Sequence, residues 1–211
     1  PLLAALSLTA CSASETNMNQ NAPNASGLQP VEHDRGRAHL NPSPKRAYEI
    51  VMTIENAPGP FADVSGGAQY DVINENECGH INSAGVPERI TSQERVALTK
   101  VSDTEYRGVV YLDRMLDEDY YGRGVCHWEL TAASATLRAT GADGETLFQP
   151  AIMADQLLSG EEVQLYFWKG AYPRDAMANY RDSGFPTPDR YKPEIRDELF
   201  KVTLKAQGLQ P

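Results

Sequence analysis

Short β-prone runs, each closed by glycine, proline, asparagine or aspartate, constrain this chain more than any other feature. From 48 to 54 the side chains alternate, with Tyr48, Ile50, Met52 and Ile54 on one side and Glu49, Val51, Thr53 and the following Glu55 on the other. A period of two marks a half-buried strand. Ala57-Pro58-Gly59-Pro60 cannot continue a ladder, and Gly66-Gly67 opens a second short strand through Tyr70, Val72 and Asn74. Segments 96–101 and 106–112 flank Ser102-Asp103-Thr104 as a hairpin, and 125–130 and 135–140 read as two further strands. Gly141-Ala142-Asp143-Gly144 then turns the chain into 145–148. Between Pro150 and Ser159-Gly160, residues 152–158 carry apolar side chains three and four apart and predict a short helix. The runs 163–168 and 199–204 are strongly β-prone. Between them, 169–192 holds four tyrosine or phenylalanine residues and three prolines without lasting periodicity, as a long ordered loop or lid-like insertion would. The succession predicts a mainly β protein: a single antiparallel β-sandwich domain over 45–211, with one or two short helices and a long C-terminal loop.

Ahead of that domain, residues 1–10 are apolar and uncharged, too short to cross a bilayer but suited to the core of a secretory signal peptide. Leu8-Thr9-Ala10 before Cys11 resembles the lipobox read by bacterial prolipoprotein processing enzymes, which makes Cys11 the expected lipidation site. Residues 11–44 are rich in Asn, Ser, Ala and Pro, cannot bury enough surface to offset their ordering entropy, and read as a lipid-anchored flexible tether. Ser12 stands where enterobacterial lipoproteins kept at the inner membrane carry Asp, so the expected location is the periplasm, anchored to the outer membrane. No other segment approaches the roughly 18 apolar residues of a membrane helix.

With Cys11 given to lipid, Cys78 and Cys126 are left as an even pair in an oxidising compartment, where a disulfide is expected. Cys78, His80, Cys126 and His127 also have the composition of a tetrahedral zinc site. Zinc ligands usually come in pairs two to four residues apart, however, and adjacent Cys126 and His127 on a strand would face opposite sides. From Lys45 onward the chain holds 17 Lys and Arg against 26 Asp and Glu, a net charge of −9. Such a field repels nucleic acid and anionic lipid and favours a basic partner, or else only keeps the domain soluble.

The densest functional-looking stretch, 113–124, mixes acids, tyrosines, glycines and arginine between two expected strands. Asp117, Glu118, Asp119, Tyr120, Tyr121 and Arg123 form the expected partner-binding surface, because Tyr and Arg anchor interfaces and the acids suit a basic partner. A solvated acidic connection with tyrosines capping the core is the plain alternative. Asp117, Asp119 and Gly122 also match the first, third and sixth positions of a calcium-binding EF-hand loop. Tyr121 at the fifth position and Trp128 in place of the bidentate Glu depart from it. For catalysis the sequence offers little. Ser65 and Ser183 lack a Gly-x-Ser-x-Gly elbow, Gly122-Arg123-Gly124 has no third glycine, and only His80 and His127 lie beyond the tether as general-base candidates. No catalytic residue, metal or cofactor is therefore assigned, and the protein is expected not to be an enzyme. Tyr166, Phe167, Trp168, Tyr172, Tyr180, Phe185 and Tyr191 could line a groove for a sugar or peptide, or simply pack.

Met115-Leu-Asp-Glu-Asp-Tyr-Tyr-Gly-Arg-Gly-Val-Cys-His-Trp-Glu129, with Val163-Gln-Leu-Tyr-Phe-Trp168 and Pro193-Glu-Ile-Arg-Asp-Glu-Leu-Phe200, resembles uncharacterised proteobacterial lipoproteins of the kind encoded beside antibacterial type VI secretion effectors. The resemblance implies an immunity protein, a periplasmic lipoprotein that binds and blocks a delivered toxin such as a lipase or cell-wall hydrolase. Its partner would be that secreted toxin, with the membrane reached only through the lipid anchor. A cell-envelope ligand-binding or assembly lipoprotein of sandwich fold, with calcium as an option, is the alternative and calls for a concave pocket near Trp168. A hydrolase would need His80 or His127 beside a nucleophile. An inhibitor instead predicts a protruding loop or flat patch exposing Asp117, Asp119, Tyr120, Tyr121 and Arg123.

In cells fed labelled fatty acid, the full-length protein should take up label and fractionate with membranes, and Cys11→Ser should abolish both. Unchanged fractionation of the variant would remove the anchor.

Overall fold

The computed structural model describes residues 38–209. Cys11, the signal-like residues 1–10 and the expected tether up to residue 37 lie outside the described residues. The last stretch of the expected tether is already paired with the domain. Leu40 bridges Met115, the Asn41 amide donates to the Arg114 carbonyl at 2.8 Å, and the Leu116 amide donates to the His39 carbonyl at 2.9 Å.

The fold is mainly β, as expected, and consists of two sheets. One has β4 (Leu98–Lys100), β5 (Glu105–Tyr111), β1 (Ala47–Glu55), β11 (Leu199–Gly208) and β9 (Val163–Trp168), in that order. The other runs β10 (Arg181–Asp182), β7 (Leu147–Phe148), β6 (Trp128–Arg138), β2 (Asp63–Val72) and β3 (Thr91–Val96), with β8 (Ala151–Met153) also on β6. Two short α-helices, α1 (Glu75–Cys78) and α2 (Ala154–Ser159), complete the elements named below.

Alternation does the packing. Ile50, Met52 and Ile54 of β1 and Val202, Leu204 and Ala206 of β11 are buried from one side. Tyr70 and Ala68 of β2 and Leu130, Ala133, Ala135 and Leu137 of β6 are buried from the other, in one continuous core. At one end Phe148 of β7 meets Phe167 and Phe200 edge to face at 5.7 and 5.2 Å, which pins the second sheet to β9 and β11. Such pairs add about 0.5–1.5 kcal/mol beyond their burial. At the other end Cys78 and Cys126 form the expected disulfide.

Several details differ from expectation, among them the start of the helix expected at 152–158, whose first two residues belong to β8. The two strands expected at 125–130 and 135–140 are one strand, β6, because Ala132, Ala133 and Ser134 between them pair with Gln69, Ala68 and Gly67 of β2. The register shifts once, leaving Thr131 as a bulge whose hydroxyl donates to the Asp71 carboxylate. The pairing is not wholly antiparallel, since β10 lies parallel to β7. A polar strand, β3, went unread because its core-facing positions hold Ser92 and Glu94, so it shows no apolar alternation. Ser92 donates to Glu94 at 2.7 Å, and an inward-pointing charge of this kind blunts an edge strand against further pairing.

The expected strand 96–101 is broken at Ala97, where the chain leaves β3 and enters β4 in the opposite sheet. Two glycines make room for that crossing. A Cβ on Gly66 would lie 2.6 Å from the Val96 carbonyl oxygen, and one on Gly108 would lie 2.8 Å from Leu98 Cδ2 and 2.9 Å from the Ala97 oxygen. Close backbone approach is the usual reason for glycine inside a strand. Gly66→Ala should therefore cost roughly 1–3 kcal/mol and lower the melting temperature by several degrees. Gly67→Ala, whose Cβ would meet its nearest atom at 3.7 Å, should be neutral or slightly stabilising. Equal melting temperatures for the two variants would refute the crossing as the reason for Gly66.

Candidate functional site

Where β2 ends and β6 begins, Val72 pairs with Trp128, and beside them β5 ends against the start of β1, with Tyr111 opposite Ala47. Tyr70 ties the two sheets here by donating to the Tyr111 carbonyl at 2.6 Å, and burial pushes its phenol up to about 12. Three stretches meet at this end: 38–41, 73–90 and 113–127.

The disulfide joins the last two. Cys78 closes α1, Cys126 precedes β6, their Cα atoms are 5.2 Å apart, and both side chains are fully buried. Asn74, just before α1, accepts from the His127 amide at 2.8 Å and donates to the Val125 carbonyl at 2.9 Å. The Arg123 guanidinium donates to the Gly79 carbonyl. With the Ile73 amide donating to the His127 carbonyl at 3.0 Å, a covalent bond and four hydrogen bonds lock one loop against the other. Both cysteines being spent on the bridge, no zinc set remains.

The six residues expected to bind a partner come together on this end, and most of them also hold it in shape. Asp117 Oδ1 accepts from the Trp128 amide at 2.9 Å while Oδ2 lies 2.8 Å from His127 Nδ1. Glu118 Oε2 lies 2.6 Å from His39 Nδ1, clipping the entering chain to the loop, and its carbonyl accepts from the Cys126 amide at 2.9 Å. Asp119 accepts from the Arg123 amide at 3.0 Å. Desolvation alone would raise the Asp119 carboxyl, but the amides of Arg123, Gly124 and Gly122 outweigh it and hold its pKa down. Tyr120 is half-buried, donates to the Leu116 carbonyl and stands edge-on to Trp128 at 6.4 Å, so it caps the core. Tyr121 is half-buried too, with its ring 6.3 Å from that of His80. Asp117, Asp119 and Arg123 are exposed. The expectation that both tyrosines would stand exposed is thereby corrected: their rings are large enough to roof the end of the core.

The calcium alternative needs Asp117 and Asp119 to converge, whereas Asp117 is turned to the Trp128 amide and the His127 ring and Asp119 to the Arg123 amide. Among the described residues no three His, Cys, Asp or Glu side chains are grouped to hold a metal ion. His80 faces Glu88 at 3.4 Å and His127 faces Asp117, so the ring partner of each general-base candidate is a carboxylate. Most of the C-terminal aromatics pack, while Tyr180 and Phe185 are 39% and 38% exposed. Tyr191 donates to the Tyr166 carbonyl at 2.6 Å, Phe185 meets Tyr191 at 5.0 Å, and Tyr172 reaches the Pro60 carbonyl at 2.6 Å. Between the sheets lies a cavity of about 20 Å³ lined by Ile50, Met52, Val96, Leu98, Val110 and Leu204, a packing void with room for no ligand.

Sequence reasoning missed His39, set aside with the tether, and Asn74, whose bonding to both sides of the disulfide leaves no periodic signal. No family model, no curated protein and no solved structure matches the chain.

Asp113 anchors the near side of the loop by accepting from the Lys45 amide at 2.9 Å and the Arg46 amide at 3.0 Å. Partial desolvation pushes its carboxyl up, and those amides outweigh it, leaving the folded-state pKa below the ordinary 3.8. A depressed carboxyl stabilises above its unfolded value, and that contribution is lost as pH falls through the folded value. Asp113→Asn should therefore lower the melting temperature at neutral pH and flatten its decline below about pH 4. Parallel acid limbs for variant and wild type would contradict this.

Proposed function

We propose that the protein is a periplasmic lipoprotein that binds and blocks a secreted antibacterial effector, a lipase or cell-wall hydrolase, and so acts as an immunity protein. The observation that supports this most is the solvent-facing end built from 73–90 and 113–127. It is held by the disulfide, the Arg123 to Gly79 bond and the Asn74 bridge, and it exposes Asp117, Asp119 and Arg123. A surface fixed before binding loses little entropy when it docks, which favours tight inhibition. The acidic field suits a basic protein and disfavours nucleic acid. Contact with the membrane is through the lipid on Cys11 alone, and no cofactor is involved.

The neighbouring gene's product, purified with this protein, should form a stable complex, and the full chain exported to the periplasm should protect cells that receive that product. Absence of both binding and protection would overturn the immunity reading.

A further inference from the structure

The acids and the arginine of 117–123 are largely committed to the loop's own shape, so the groups left to grip a partner lie elsewhere on the same end. Four aliphatic side chains stand out in solvent there: Ile73 at 57%, Ile81 at 42%, Val86 at 54% and Val125 at 45% exposure. They are set on a common frame. The Ile73 amide donates to the His127 carbonyl at 3.0 Å, the Val125 carbonyl receives Asn74, the Asn82 amide donates to the Val86 carbonyl at 3.0 Å, and Ile81 bridges Pro87. The disulfide and Arg123 join the two halves of that frame. Single exposed aliphatics are ordinary, whereas several on one rigid loop pair mark an interaction surface.

Charge tells what fits it. Segments 73–90 and 113–127 hold seven acidic residues against three arginines, a net of −4 out of the −9 carried from Lys45 onward. Glu75 and Glu77 of α1 have no ion pair among the described residues and remain available to an incoming cation. At the opposite end, 169–192 carries five Lys and Arg against three Asp. A second copy of the chain docking face to face would set like charge against like, and an anionic lipid surface would be repelled.

We infer that Ile73, Ile81, Val86 and Val125 form the contact surface for a protein partner that presents apolar side chains inside a basic rim, with Glu75 and Glu77 steering its approach. This rests on the reading that the protein binds a protein, and it moves the grip from the acidic loop to the apolar residues beside it.

The test measures affinity and association rate for the purified product of the neighbouring gene, at low and high salt, with the melting temperature of every variant recorded. Ile73→Asp combined with Val86→Asp should weaken binding by at least about 30-fold. Glu75→Lys combined with Glu77→Lys should slow association and reduce its salt dependence. Met177→Asp, at a 65% exposed position of the opposite end, should bind as wild type. If the complex forms and both double variants bind as wild type, the surface is wrong while the binding reading stands. If wild type forms no complex, both fall together. A dimer that becomes monomeric in the Ile73→Asp, Val86→Asp variant would assign the patch to self-association and overturn the proposed partner. Should that variant not fold, the glutamate pair still decides, because unchanged rate and salt dependence there would remove the charge steering.

Discussion

The bond between Cys78 and Cys126 sits where the sheet alone is weakest. β2 has just ended, β6 has yet to begin, and the two cysteines, 48 positions apart in sequence, enclose β3, β4 and β5 and a change of sheet. On a chain-entropy model a closed loop of that length is worth about 4 kcal/mol, comparable with the whole margin of many domains. The hydrophobic core cannot supply this locally, since α1 is a single turn and most of 73–89 is exposed. The bridge therefore turns a stretch that composition would leave loose into a fixed surface.

The sheets hold the rest of the molecule by a different means, and their legibility in the sequence follows from it. Strands β1, β9 and β11 could be read because one face of each is buried and the other wet, or because the run is uniformly β-prone. The polar strand β3 could not, because Ser92 and Glu94 occupy the positions where an apolar signal would appear. Its place in the sheet comes from pairing with β2, a contact with no local trace. The unity of β6 was hidden for a related reason: Thr131 and Ser134 look like a break, yet the Asp71 carboxylate takes the bulged Thr131 hydroxyl and the ladder continues. Gly66 and Gly108 were visible as glycines, but their purpose depends on a sheet change at Ala97 that needs three-dimensional knowledge.

At the candidate site, residue type marked where polar and aromatic side chains gather, and left their bonding within the loop unread. Acids, tyrosines and an arginine did cluster on one end, and the disulfide pairing was readable from the cysteine count once Cys11 was set aside. What those side chains do depends on where the nearest unpaired amide lies. Asp113, Asp117 and Asp119 each satisfy backbone donors that a loop without regular structure would otherwise leave open. That demand comes before binding, and it is why an acid-rich loop on a rigid scaffold so often proves structural on its inner side. The isoleucines and valines, by contrast, do nothing for the loop: Ile73 and Val86 are more than half exposed.

Exposed aliphatics lower solubility unless something opposes self-association, and the acids packed around them provide that opposition through like-charge repulsion between copies. On the proposed reading, the field that would oppose self-association would also draw in a partner of opposite sign, so the two effects would share one origin. Screening would weaken both effects together, because exposed charges more than about 10 Å apart hardly interact at ordinary ionic strength. Affinity that survived high salt would then reflect the aliphatic contact, whose strength does not depend on ions, while the rate of encounter would follow the glutamates.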